Sequence, residues 1–124
     1  MTITFHTDEA KDLTVFKVSG ELNFEAVMPF VKAFYDGTPT RHVVWDMTDV
    51  SEADFSSEQV EQIAGLPSRF QGKRAEGKTA LVVKKDILFG LSRMFEIHSN
   101  VRQAPFPIGV FRNLEDAYKW IEES

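Results

Sequence analysis

The pattern of hydrophobic and polar positions predicts five β-strands. Ile3 and Phe5 alternate with polar residues, which is typical of a short strand. Residues 13–18 form a second strand that ends at Gly20. The short separation of the two predicts an antiparallel hairpin. Three later strands span residues 42–47, 79–83 and 108–111. The first two contain the continuous apolar runs 43–45 and 80–83, as expected for strands covered on both faces.

Helical spacing of apolar residues predicts four helices. Asn23 is the predicted N-cap of the first helix. Its apolar stripe consists of Val27, Phe30, Val31 and Phe34. Pro29 removes one hydrogen bond and bends this helix, unless the helix begins near Val27.

The other three helices are predicted from their capping residues and from stripes of apolar residues at helical spacing. One starts at about Ser57 and is ended or kinked by Pro67, after which residues 72–77 form a basic loop. Another spans residues 87–98, with Asp86 as its N-cap. Asn113 caps the last helix, whose core face contains Leu114, Ala117, Tyr118 and Ile121.

The element order is therefore β-β-α-β-α-β-α-β-α. An initial hairpin followed by alternating helices and buried strands predicts a mixed five-stranded sheet, parallel in its middle, with four helices. The length of 124 residues is that of one ordinary domain. We therefore expect a single α/β domain over residues 1–124.

Composition narrows the classes of function. The chain has no cysteine, which excludes disulfides and thiolate metal sites and fits a cytoplasmic protein. Its net charge of −5 argues against nucleic-acid binding. The N-terminus does not resemble a signal peptide, and no apolar run approaches the roughly 18 residues of a transmembrane helix. No catalytic, cofactor or metal motif occurs, so we expect neither an enzyme nor a cofactor.

The stretch of residues 43–57 contains the strongest candidate site. It reads as a buried strand, an acidic loop from Thr48 onwards, and the start of a helix. Ser56 and Gln59 form the pattern Ser-x-x-Gln, which predicts a capping box. In a functional interpretation, Ser56 is a phosphoacceptor at a helix N-terminus. In another interpretation, the surrounding carboxylates only form a solvated loop. A third interpretation is a Mg²⁺ site at these carboxylates, although the acidic residues do not follow the strands in the order that such a site requires.

Residues 43–47 (VVWDM) and 54–57 (DFSS) resemble two motifs of the STAS domain, the fold of bacterial anti-sigma-factor antagonists. In that family a V-V-x-D-hydrophobic strand leads to a D-S-S-G motif, whose second serine is phosphorylated. The resemblance places Ser56 at the phosphoacceptor position. Phe55 and Ser57 depart from the motif, at its first serine and its glycine.

A closer resemblance is to the SpoIIAA-like family of small bacterial proteins, which is related to the STAS domain and to CRAL-TRIO lipid-transfer domains. The residues that carry it are 18–22, 45–47, 89–96 and 111–121. The resemblance implies a regulatory or apolar-ligand-binding role rather than chemistry.

The third predicted helix is apolar over more of its girth than one core face requires. A single buried face would contain Ile87, Leu91, either Met94 or Phe95, and His98. The additional apolar residues favour a thick core, a homodimer face or the wall of a ligand cavity. At Gly90, another backbone or a ligand could approach the helix closely. The candidate residues for the last two are Phe30, Phe34, Leu88, Phe89, Leu91, Met94 and Phe95.

Two hypotheses for the function follow. The first is a non-enzymatic module that binds a protein partner and resembles the anti-sigma-factor antagonists. Its candidate site residues are Ser56, Ser57, Asp54, Asp46 and Asp49. The second is a carrier or sensor of an apolar, lipid-like small molecule, bound between the sheet and the first and third helices.

Overall fold

The computed structural model describes residues 1–65, 77–101 and 107–123. Pro67 and most of the predicted basic loop lie outside these ranges. The strands are β1 (Thr2–Asp8), β2 (Leu13–Asn23), β3 (His42–Asp54), β4 (Thr79–Val82) and β5 (Ile108–Phe111). The helices are α1 (Phe24–Asp36), α2 (Ser57–Gly65), α3 (Asp86–Val101) and α4 (Leu114–Glu122).

The five strands form one mixed sheet in the order β1-β2-β3-β4-β5. Strands β1 and β2 pair antiparallel, from Thr2 opposite Ser19 to Asp8 opposite Leu13. The pairs β2–β3, β3–β4 and β4–β5 are all parallel. The predicted α/β class, the element order and the mixed sheet are thus confirmed.

Helices cover both faces of the sheet. Successive parallel strands are added in one direction, so right-handed crossovers place α1, α2 and α3 on the same face. The core of that face includes Val18 of β2, Val27 of α1 and Leu88 of α3. The opposite core joins Val44 of β3 to Ala117, and thereby to α4.

Strands β2 and β3 are both longer than the sequence pattern predicts. Strand β2 continues past Gly20, and β3 continues past Met47 to Asp54, so the predicted acidic loop is mostly strand. Gly20 does not end β2, because its φ of +83° accommodates a shift in register instead of a turn. Val50, only 2% exposed, anchors the extension between exposed acidic residues.

The two asparagine N-caps are confirmed. Asn23 Oδ1 accepts a hydrogen bond from the Ala26 amide at 2.9 Å, and Asn113 Oδ1 accepts one from the Asp116 amide at 2.8 Å. Helix α1 therefore begins at Phe24 and contains Pro29 in its interior, so a start near Val27 is wrong.

Helix α3 departs from its prediction at both ends. Asp86 is its first residue and not its N-cap, and its carboxylate accepts a hydrogen bond from Arg112 at 3.0 Å. Ile87, predicted to be buried, is 76% exposed. The buried stripe runs through Leu88 and Ser92, and the polar Ser92 conceals that stripe in the sequence pattern. The helix extends to Val101, beyond the predicted end.

Replacing Gly20 with alanine should destabilise the fold. A side chain at φ +83° strains the backbone, although the added Cβ would meet only ordinary contacts with Met1. We expect Gly20→Ala to lower the free energy of unfolding by about 1–2 kcal/mol, as measured by urea denaturation.

Gly90→Ala is the matched control. Gly90 lies in α3, and no atom lies within 4 Å of a Cβ placed there. We expect this variant to raise the free energy of unfolding by about 0.5–1 kcal/mol through helix propensity. Equal effects of the two substitutions would contradict the conformation assigned to Gly20.

Candidate functional site

The N-terminus of α2 is held by a reciprocal capping box, as predicted. The Ser56 amide donates to Gln59 Oε1 at 3.0 Å, and the Gln59 amide donates to Ser56 Oγ at 3.1 Å. Ser56 and Ser57 are both exposed. The Ser56 hydroxyl is thus accessible to solvent, while its oxygen is held in place by the first turn of the helix.

The register of the sheet determines where this N-terminus lies. Asn23, the N-cap of α1, pairs with Asp54, the last residue of β3. Helices α1 and α2 therefore begin side by side, at the carboxyl ends of two neighbouring parallel strands. In open α/β sheets this edge is the usual location of binding sites. Asp54, Ser56 and Ser57 come together there as an exposed acidic surface, which we call the α2 surface.

The structure does not bring Asp46 to the α2 surface. Asp46 is 5% exposed, and its Oδ1 accepts hydrogen bonds from the Thr48 amide at 3.1 Å and hydroxyl at 2.7 Å. It lies on the α4 face of the sheet, two residues after Val44. Burial, and after it the negative charge of Asp46, raise the pKa of Tyr118 in α4.

Asp49 is also remote from Ser56. It is exposed, and its carboxylate forms an ion pair with Lys17 Nζ at 3.5 Å. Asp46 and Asp49 precede Asp54 by eight and five residues of β3, which at about 3.3 Å per residue corresponds to roughly 26 Å and 17 Å along the strand. The five candidate residues of the first hypothesis therefore divide into three at the α2 surface and two along β3.

A cavity of about 140 Å³ lies between the sheet and helices α1, α2 and α3. Three of the seven predicted apolar candidates line it: Phe34, Leu91 and Phe95. The other residues that line it are Leu22, Val27, Val31, Tyr35, Val43, Trp45, Met47, Phe55, Val60, Ile63, Thr79, Leu81, Ser92 and Ile108. The cavity lies where the second hypothesis requires it, with α2 as an additional wall.

The remaining four apolar candidates lie in other surroundings. Leu88 is buried in the core. Phe89 is half-buried, with the guanidinium of Arg112 at 4.2 Å from its ring centroid. Phe30 and Met94 are half-buried. A homodimer face on α3 stays a prediction.

The cavity wall is apolar except at a few positions. Thr79 is 5% exposed, and its Oγ1 has no hydrogen-bond partner within the described residues. Ser92 is also buried. Sequence reasoning missed Thr79, because a threonine inside an apolar strand has no distinctive pattern. A buried hydroxyl without a partner is uncommon in native proteins and calls for an explanation.

Sequence reasoning also missed Phe55, and it predicted Val60 only as a residue of the buried face of α2. They precede and follow the capping box at the two positions of a hydrophobic staple, N′ and N4 around the N-cap Ser56. Both line the cavity. The signal was present, because this spacing around Ser-x-x-Gln is itself a recognised pattern. The α2 surface and the cavity therefore share one structural element.

Across the described ranges, no three histidine, aspartate or glutamate side chains are grouped as metal ligands. In the same parts of the chain, the helices lack the length and hydrophobicity needed to cross a bilayer.

Neither a protein-family model nor a curated protein sequence matches the chain. Several solved structures do match it. The unphosphorylated anti-sigma factor antagonist SpoIIAA superimposes with a TM-score of 0.60 and 14% identity, over 97% of this chain and 96% of its own. An anti-sigma factor antagonist from Mycobacterium paratuberculosis superimposes with a TM-score of 0.58 and 17% identity, over 98% of this chain and 96% of its own.

A DUF3478-family protein from Shewanella loihica PV-4, described as having a SpoIIAA-like fold, gives a TM-score of 0.57 and 17% identity, over 97% of this chain and 92% of its own. These identities are low, so the similarity concerns the fold alone. It extends over nearly the whole length of each protein, and it confirms the resemblance seen in the sequence: this chain has the SpoIIAA-like fold of the STAS domain.

Proposed function

We propose that the chain is a non-enzymatic regulatory module that binds a protein partner through the α2 surface. The observation that carries the proposal is the exposed capping box of Ser56 at the carboxyl edge of the parallel strands. Two of the structures with the same fold are anti-sigma factor antagonists. Their architecture supports a protein partner, and the α2 surface is where this chain has accessible groups on a rigid element.

Ser56 is the residue through which this binding would be regulated. A phosphoryl group on Oγ would add nearly two negative charges beside the carboxylates of Asp54 and Glu58. The helix dipole would offset part of this repulsion. Asp46 and Asp49 lie beyond the Debye length of about 8 Å at physiological salt, so they contribute little. The local charge at Ser56 would therefore change sharply, and a partner that buries the uncharged Ser56 hydroxyl would be released, because the phosphoryl group would lose its hydration in that contact.

The substitution Ser56→Asp should weaken partner binding. It places a negative charge at the phosphoacceptor position and keeps an N-cap residue, so α2 should remain folded. With a partner purified together with the wild-type chain, we expect the dissociation constant to rise about tenfold or more, as measured by isothermal titration calorimetry.

Thr38→Asp is the control for the added charge. Thr38 is exposed and follows α1, at the opposite edge of the sheet. Its substitution should leave the dissociation constant unchanged. If Ser56→Asp also leaves it unchanged, Ser56 is not the regulatory position.

A second function, the carriage or sensing of an apolar small molecule, is favoured by the cavity. Phe34, Leu91 and Phe95 contribute to its wall from α1 and α3, the two helices named in the second hypothesis. A concave apolar site with a few polar groups is the usual form of a small-molecule pocket.

Filling the cavity should remove any bound molecule. We expect solvent extracts of wild-type protein, purified from its own cells, to contain a stoichiometric small molecule by mass spectrometry. Leu91→Trp places a larger side chain in the cavity wall and should abolish it. Ile97→Trp, on an exposed position of the same helix, should retain it. Extracts of wild-type protein that repeatedly lack such a molecule would contradict the carrier function.

A further inference from the structure

Strand β1 forms one lateral edge of the sheet, and within the described part of the chain it pairs only with β2. The backbone N–H and C=O groups of its alternate residues therefore point away from the sheet, where another strand can pair with them. We propose that β1 pairs antiparallel with β1 of a second copy of this chain, so that the two sheets become continuous in a homodimer. This interface lies apart from the α2 surface and from α3, and it does not depend on the proposed function.

Strand β1 lacks the features by which edge strands usually avoid pairing. Edge strands are commonly protected by proline, by lysine, by a bulge or by a covering element. Thr2–Asp8 (TITFHTD) contains no proline and no lysine, and five of its seven residues are exposed. Its register with β2 has no shift, whereas the register of β2 with β3 shifts twice. The outer edge of β1 is therefore long, regular and open to another strand.

Phe5 is the apolar centre of this edge, and it is 62% exposed. Its ring centroid lies 5.7 Å from that of Phe16 in β2, and the Phe16 ring stacks on Trp45 of β3 at 4.3 Å. This row of rings lies on the face of the sheet that α1 covers, since Phe34 of α1 contacts Phe16 edge-on. The row ends at Phe5. An aromatic ring from a second copy would continue it and bury the exposed apolar surface.

The sequence of β1 is self-complementary when two copies pair about Phe5. The opposite residues are then Phe5 and Phe5, Ile3 and Thr7, Thr4 and His6, and Thr2 and Asp8. The two Asp8 carboxylates are offset by six residues, or roughly 20 Å, which is well beyond the Debye length of about 8 Å at physiological salt. Parallel pairing in register would instead place them side by side, which is unfavourable. The charges of β1 therefore favour the antiparallel arrangement.

A second copy fits this edge better than an unrelated strand does. A single added strand would itself become an exposed edge. In a two-fold symmetric pair each β1 covers the other, so neither copy keeps an open edge on this side. The net charge of −5 opposes the association of two copies. Strand β1 contributes little to this repulsion, because its one acidic residue, Asp8, is at its end.

The helices leave room for the second copy. The two-fold axis is perpendicular to the joined sheet, so α1 of both copies lies on the same face. The two β2 strands are three strand spacings apart, or roughly 14 Å, which exceeds the helix diameter of about 10–12 Å. Because Phe5 is exposed, α1 does not extend over β1. The two α2 surfaces then point to opposite ends of the joined sheet, and each can bind its own partner.

Sedimentation velocity over a dilution series measures the dimer. A contact through one strand lies at the small end of specific interfaces, so we expect a reversible dimer whose population rises with concentration. Phe5→Lys places two lysines opposite each other at the axis and should raise the dissociation constant about tenfold or more. This effect opposes the change in net charge, which becomes less negative in the variant. Wild-type protein that stays monomeric up to about 1 mM would overturn the proposal.

Ile87→Lys is the matched control for Phe5→Lys. Ile87 is 76% exposed on α3, and its substitution changes the net charge by the same amount. We expect it to leave the dissociation constant unchanged. Phe5→Tyr keeps the aromatic ring and should also dimerise like the wild type. If Ile87→Lys disrupts the dimer and Phe5→Lys does not, the interface lies on α3 and the assignment to β1 is wrong.

Cysteine cross-linking tests the register. The chain has no cysteine of its own. Opposite residues of antiparallel strands have Cα atoms about 4.5–5.5 Å apart, a distance that a disulfide spans. Under mild oxidation we therefore expect Phe5→Cys to form a covalent dimer, seen on a non-reducing gel.

Thr2→Cys is the control for the register. Thr2 is also exposed in β1, but two Thr2 residues are roughly 20 Å apart when the strands pair about Phe5. This variant should not cross-link. Oxidation captures dimers as they form, so the cross-link at position 5 does not need the stability that the Phe5 ring provides. No cross-link in Phe5→Cys, or a faster one in Thr2→Cys, would refute the pairing about Phe5.

Discussion

The parallel pairing of β2 with β3 is the constraint on which the rest of the structure depends. It continues beyond the end of β4, to Asn23 opposite Asp54. That last pair sets the starting points of α1 and α2, and hence two walls of the cavity and the position of Ser56. A change of register by one residue would turn Leu22 and Val50 out of the core. The α2 surface is thus determined by the sheet and not by the helix alone.

Local features of this structure were predictable from the sequence, because their physics is local. The Asn23 and Asn113 caps and the Ser56–Gln59 capping box each involve residues three apart. The α/β class followed from the order of the elements. The end of β3 was missed because its acidic residues resemble a loop, whereas the pairing that makes it a strand comes from β2, about thirty residues earlier. The position of Asp46 could not be predicted for the same reason. Only the alternation of side chains along the complete strand β3 places Asp46 on the face of the sheet that α4 covers.

The cavity could not be predicted in detail for a different reason. A void is a property of the space between side chains, and Phe34, Leu91 and Phe95 read equally well as core residues. On the face covered by α4, Val44, Ala80 and Ala117 are equally apolar and are fully buried, and the sequence pattern does not distinguish the two faces.

The long β2–β3 pairing also has a kinetic consequence. The β1–β2 hairpin joins residues that are close in sequence, so it can form early. Strand β3 must then align in parallel with β2 across the intervening α1, and three successive parallel pairs must form in this way. Such non-local pairing is slow compared with the formation of helices or of a hairpin. During that interval the apolar residues of β3 remain exposed to solvent. The folding chain is therefore most prone to aggregate before β3 has paired with β2.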